Sequence, residues 1–304
     1  MKRFLANCGT IGIIIGICVL FIIGLRYAKL QTLADDLFAT KEGQHILVLG
    51  DSHPDNAFVE VAGNGIKKLV YSGSPLNISF MRLLELEKRT NLSNIDVCIA
   101  NIDYTYILEW SYKLQIESAW RLMPFCFDKL DMLPTSRIET IRGLIDFTCE
   151  NINEIPPLAQ TSGGADASVS IAGHSPEWVR AQVDDAIERH FRRRERHPEL
   201  FVPDATGRMM ETILAFKKLC EQHGIRLILF SAPLSQEYRD GVPDWAKKEL
   251  RGLVAEIRDE GIEYYDFTEW GRRDWLADSD HLNKTGAEQF TNMFLNDIIR
   301  GVAQ

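Results

Sequence analysis

An apolar run, Ile46-Leu47-Val48-Leu49, ends in Gly50-Asp51-Ser52, and a polar loop far down the chain reads Asp278-Ser279-Asp280-His281-Leu282-Asn283. These types suit one chemistry, nucleophilic attack by a serine hydroxyl. Such a hydroxyl is a poor nucleophile until a base takes its proton, and His281 titrates in the right range to be that base. An imidazole in this role needs a carboxylate to fix its tautomer and steady its cation. Asp278, three residues earlier, can reach the other ring nitrogen. Asp280 is the alternative, but its place directly beside His281 favours Asp278. The oxyanion formed on attack needs donors. The backbone N–H groups of Ser52 and Gly73 and the side-chain amide of Asn101 are the candidates. Gly50 and Asp51 support the turn, Asp51 through hydrogen bonds to local backbone N–H groups. His53 adjoins Ser52, yet a neighbouring side chain cannot easily fold back onto that hydroxyl, so it is expected at a helix start facing solvent or substrate. Asn283 is expected to bond backbone where the last helix begins.

These residues must be brought together by elements. Strands are expected at 44–49, 67–71, 95–100, 226–231 and 262–267, most of them short apolar runs without clean alternation, as in parallel strands covered on both faces. Helical patterns occupy 76–90, 206–222, 244–259 and 285–300. Gly224 and Gly261 punctuate two of them, and Thr285-Gly286-Ala287-Glu288 has the form of a capping box. Alternating strands and helices predict an α/β fold with a doubly wound parallel sheet. In such sheets sites form at the carboxyl ends of strands, where Ser52, Gly73, Asn101 and the Asp278–His281 loop would converge. The segment 104–205 breaks the rhythm. It carries Tyr104, Tyr106, Trp110, Tyr112, Trp120, Phe125 and Phe127, then the small-residue stretch 160–175, expected to be a mobile loop or lid. Ser175-Pro176-Glu177 reads as a helix start. The whole insertion is expected to decorate the sheet's carboxyl edge.

A net charge of −9 leaves no basic footprint for nucleic acid. The local run Arg192-Arg193-Arg194-Glu195-Arg196 reads as a solvated helix face. The cysteines show no CxxC spacing, so no metal site is expected. Cys98 and Cys220 fall in apolar patterns as buried thiols, whereas Cys126 and Cys149 can pair only in an oxidising compartment. Residues 8–25 carry no charge, close to the length that spans a bilayer. Lys2 and Arg3 precede them and no small-x-small cleavage site follows, which favours a retained signal anchor over residues 1–29 and a stalk over 30–43. Residues 44–304 then form the α/β domain, expected outside an inner membrane.

Gly50-Asp51-Ser52 after a first strand, with Asp278-x-x-His281 near the C-terminus, resembles the SGNH (GDSL-type) hydrolase family over residues 44–103 and 206–300. The ending His281-Leu282-Asn283 is similar to a branch with membrane-tethered envelope members that add or remove acyl groups on polysaccharides. The resemblance implies a flavodoxin-like three-layer fold, and a mechanism without metal or cofactor. It assigns Ser52 as nucleophile, Asp278 as orienting acid and His281 as base. It implies an ester-bearing small molecule or O-acetylated glycan as substrate, and for a transferase a membrane-bound acyl donor. Gly73 matches the family's second motif by position only. Ala100-Asn101-Ile102-Asp103 departs from its Gly-x-Asn-Asp, which leaves room for a non-catalytic scaffold or glycan-binding protein.

Overall fold

A computed structural model describes residues 45–60, 65–70, 72–88, 92–105, 170–201 and 204–301. The anchor, the stalk, Cys126, Cys149 and the aromatic residues between 106 and 127 lie outside the described residues. Among the described residues, no helix is long and apolar enough to cross a membrane.

Five strands form one parallel sheet: β1 (Ile46–Gly50), β2 (Ile66–Val70), β3 (Val97–Asn101), β4 (Arg226–Ser231) and β5 (Glu263–Asp266). Their spatial order is β2-β1-β3-β4-β5, the flavodoxin-like order of a doubly wound sheet. β1 and β3 are buried along their whole length. Strand geometry sends successive side chains to opposite faces. Leu47, Leu49, Cys98, Ala100, Leu227 and Leu229 therefore feed one core, and Ile46, Val48, Val97, Ile99, Ile228 and Phe230 the other.

The first core is covered by α2 (Leu76–Glu87), α4 (Ala205–His223) and α6 (Asp244–Asp259). The second is covered by α1 (Ser52–Ala57), α3 (Pro176–Ile187), α5 (Gln236–Gly241) and α7 (Lys284–Met293), which continues as a π-helical turn over Phe294–Ile299. Gly224 and Gly261 end α4 and α6 with φ of 69° and 71°, the left-handed region where glycine has no Cβ penalty.

Two expectations change. The Ser175 hydroxyl does cap α3, accepting from Trp178 N, and Pro176 is its first residue. But Val179, Val183, Ala186, Ile187 and Phe191 are buried in the second core, so this end of the 104–205 segment is a structural layer and not an edge decoration. Ser170 and Ile171 are likewise tied down: Ser170 Oγ donates to Arg273 O and Ile171 N to Leu276 O. The helix start near residue 285 also differs. Asn283 is the N-cap, its Oδ1 accepting from Gly286 N at 2.9 Å, and Thr285 lies inside the helix.

The arginine run occupies a π-helical stretch (Glu188–Arg192) and one further helical turn (Arg193–Arg196). Arg192 and Arg196 pair with Glu188 and Arg194 with Glu249, and most of the run is exposed, as a solvated face should be.

Candidate active site

In a sheet of this order, the crevice opens between β1 and β3, where the chain reverses its direction of winding. Gly50 ends β1 with φ of 137°, a backbone that side chains rarely adopt, and turns the chain into α1. The Asp51 carboxylate accepts from His53 N at 2.9 Å as the helix N-cap. Ser52 is thereby the first residue of a helix at the sheet's carboxyl edge. By position its N–H has no intrahelical partner. At the other end of α1, Phe58 is buried against Phe230, Phe290 and Phe294 with centroids 5.1–5.5 Å away in edge-to-face contacts. Thr291 Oγ1 of α7 accepts from Val59 N and donates to Ala57 O. These contacts lock α1 to α7, and hence the start of one to the loop that precedes the other.

That loop is itself clamped. Ala277 N donates to His281 O and Asn283 N to Trp275 O, around a bridge between Leu276 and Leu282. The Asn283 side-chain amide donates to Asp274 O, and Ser235 N donates to Ser279 O. Gly286 lets the helix start approach closely, since a Cβ there would lie 2.3 Å from Trp275 O.

The result places His281 Nε2 2.8 Å from Ser52 Oγ. Asp278 faces the other ring nitrogen, both its oxygens 3.0 Å from Nδ1, and also accepts from His281 N at 2.8 Å. Asp280 Oδ1 is farther from Nδ1, at 3.7 Å. Burial pulls His281 down, but Asp280 and then Asp278 outweigh it and raise it above the ordinary histidine value.

His53 is not at a solvent-facing helix start. It is 5% exposed and stacks under His281, with centroids 4.9 Å apart and planes 17° from parallel. Its Nδ1 lies 3.1 Å from Asp51 Oδ2 and 3.4 Å from Asp103 Oδ2, and its Nε2 lies 3.5 Å from Asp280 Oδ2. No spacing in the sequence signals this; it depends on Asp103 and Asp280 arriving from two distant loops.

Asn101, expected among the oxyanion donors, is the last residue of β3, paired with Phe230, and is fully buried. Its amide nitrogen donates to Asp51 Oδ1 at 3.0 Å and faces Asp103 Oδ2 at 3.4 Å. The reverse orientation would set its oxygen against two carboxylates. The amide therefore holds the carboxylates beneath the site. Gly73, with φ of 65°, lies in the turn after β2, the strand beside β1.

His53, Asp280 and His281 are the described side chains grouped closely enough to share a cation, their atoms within 4.8 Å of one another. Each is already engaged: His281 with Ser52 and Asp278, and Asp280 with His53 and the Ser279 hydroxyl.

No protein-family model and no curated protein matches this chain. Among solved structures, the chain is similar to a GDSL-like lipase from Bacteroides thetaiotaomicron at 11% identity and a TM-score of 0.42, covering 91% of this chain and 100% of that one. It is also similar to a "putative acylhydrolase" from Bacteroides fragilis, at 11% identity and a TM-score of 0.40, covering 87% and 90%. Likeness at that distance leaves the chemistry to the side chains of this chain.

Proposed function

We propose that the chain is a serine acyl hydrolase or acyltransferase that forms an acyl-enzyme at Ser52. The observation that carries this is the 2.8 Å contact between Ser52 Oγ and His281 Nε2, with the Asp278 carboxylate on Nδ1. The hydroxyl attacks the carbonyl carbon of an ester while Nε2 takes its proton. Asp278 holds the Nδ1 proton and steadies the imidazolium. The Ser52 and Gly73 N–H groups serve the oxyanion. On collapse, the ester C–O bond breaks and His281 protonates the departing alcohol, leaving acyl-Ser52. Water or a sugar hydroxyl then attacks, giving its proton to His281, which returns it to Ser52 Oγ as the new acid or ester leaves. No metal or cofactor takes part.

The first half-reaction is common to hydrolysis and transfer. The substrate proposed is an ester-linked acyl group, acetyl foremost, on an envelope glycan. Residues 8–25 would anchor the domain on the outer side of an inner membrane, where a membrane-bound acyl donor can reach it. The similarity of His281-Leu282-Asn283 to the membrane-tethered envelope branch of the SGNH (GDSL-type) family supports this substrate class.

A fluorophosphonate probe tests the core of the proposal. Wild type should label and Ser52→Ala should not; equal labelling of the two ends it. Aryl acetate turnover with and without a sugar acceptor then separates hydrolase from transferase.

A further inference from the structure

Three carboxylates converge on one buried imidazole beneath the proposed base. Asp51 comes from the β1–α1 turn, Asp103 from the exit of β3, and Asp280 from the loop before α7. All lie within 3.5 Å of a His53 ring nitrogen, and all are at most 6% exposed. Uncompensated, three such charges in one buried cluster are prohibitive. Asn101 supplies a neutral donor to two of them. Thr105 N and Oγ1 donate to Asp103, and Ser279 Oγ to Asp280. None of these brings positive charge. The π-helical stretch Glu188–Arg192 adds His190, whose Nδ1 meets the Tyr238 hydroxyl at 3.0 Å. Burial holds His190 below its ordinary value, which disfavours its charged form.

We infer that His53 is a positioning residue: a buried imidazolium that neutralises Asp51, Asp103 and Asp280 and, stacked under His281, keeps that base free to accept the Ser52 proton. The inference rests on His281 being the base. Electrostatics agree with the geometry. Burial alone would push His53 down, but Asp103 and Asp51, with contacts to Asp280 and Asp51, hold it well above the usual histidine value. Asp280 is held well below the usual carboxylate value: burial opposes this, and His281, His53 and His190 outweigh it. His53 also acts against protonation of His281, which Asp280 and Asp278 promote.

The sign of the effect is therefore fixed. Replacing His53 by glutamine keeps a donor but removes a positive charge, so His281 should hold its proton to higher pH. A charge 4.9 Å away across a partly buried site is worth about a ten- to hundredfold change in a proton affinity.

Histidine-labelled full-length protein in detergent, followed by NMR across pH 5–9, reads this without any turnover. The seven histidines are assigned by single substitutions. In wild type, His53 should give an imidazolium signal through pH 7. His53→Gln should raise the His281 midpoint by about one pH unit or more. Asp103→Asn should lower the midpoint of His53. A neutral His53 at pH 6.5, or a His281 midpoint unmoved by His53→Gln, overturns the inference whether or not Ser52 reacts. Should His53→Gln not fold, the charge state in wild type and the Asp103→Asn shift still decide it. The rate of phosphonylation at Ser52 gives a second readout. In His53→Gln its acid limb should move to higher pH and meet the wild-type rate at the alkaline end. Equal loss at every pH would mean a structural role alone. Absence of any labelling in wild type would instead count against the nucleophile.

Discussion

Two aspartates compete for the role of orienting acid, and contact geometry separates them. Asp278 is 40% exposed but makes both contacts to His281 Nδ1 and the one to its backbone N–H. Asp280 is more buried and dominates the local field, yet sits 3.7 Å from Nδ1 and faces His53. Asp278→Asn should thus lower kcat for aryl acetate hydrolysis by roughly 10²–10⁴, as when the tautomer of a triad histidine is lost. A kcat within a few-fold of wild type would pass the role to Asp280. Asn101 makes the opposite test. An oxyanion donor removed costs about 10²–10³ in rate. Asn101→Ala should instead lose about 1–3 kcal/mol of stability through an undone buried hydrogen bond, and cost the folded protein less than tenfold in rate. Urea melts beside kcat measurements would show which loss is larger. The meeting of Ser52, Asp278 and His281 was legible because their types and local spacing suit one chemistry. The contacts of Asn101 with Asp51 and Asp103 were not legible, because β3 runs one residue farther than expected. The Asn101 side chain is directed by strand alternation and lies under the crevice. The surroundings of His53 were missed because two of its partners, Asp103 and Asp280, lie fifty and over two hundred residues farther along the chain.

At the level of elements, the active constellation depends on how α7 begins. Asn283 caps the helix with its oxygen and ties down the preceding loop with its nitrogen, and Gly286 lets that helix start touch Trp275 O. Gly286→Ala would place a methyl 2.3 Å from that carbonyl, so the 275–283 loop must move. Overpacking of this kind costs about 1–3 kcal/mol. Because the same loop carries Asp278 and His281, kcat of the folded fraction should drop as well, by about tenfold or more, since small misplacements of reacting groups are costly. Thermal melts paired with kcat at a temperature where the variant is fully folded would check this; a destabilised variant with unchanged kcat would show that the loop is not what places His281. The strands and most helices could be read ahead because their signals are local: apolar runs for β1 and β3, and glycine stops for α4 and α6. The backbone bonding of Asn283 where α7 begins was readable too, but the capping-box pattern at Thr285 competed with it as a start signal. Only the folded loop, which bonds Asn283 to Gly286 N and Asp274 O, selects between them. The layer formed by α3 was hidden, since a polar stretch precedes it and its apolar stripe of Val179, Val183 and Ile187 is short.

At the level of the whole molecule, a doubly wound parallel sheet was foreseeable from the alternation of elements, and its order β2-β1-β3-β4-β5 explains why distant residues meet. The crevice between β1 and β3 gathers the carboxylates of Asp51 and Asp103 from the exits of neighbouring strands, and the loop before α7 delivers Asp280. A buried charge cluster of that kind couples global stability to pH. His53 is raised in the folded protein, so it binds its proton more tightly than the unfolded chain does. Its contribution is complete below about pH 6.5, the unfolded value, and is lost as pH rises through the raised folded value. His281, also raised, adds to the same alkaline limb. Asp280 is depressed, so its contribution is complete above about pH 4 and is lost as pH falls through its lower folded value. Stability should therefore be highest between about pH 4 and 6.5 and decline on both sides, with a linkage of about 1.4 kcal/mol for each pH unit between folded and unfolded values. Urea midpoints from pH 3 to 9 would trace it. In His53→Gln the protein should be less stable at pH 5–6, and the alkaline decline should shrink to the part carried by His281. An alkaline limb as steep in His53→Gln as in wild type would place its origin elsewhere in the chain, because no other change in that variant removes a proton-binding group from the crevice.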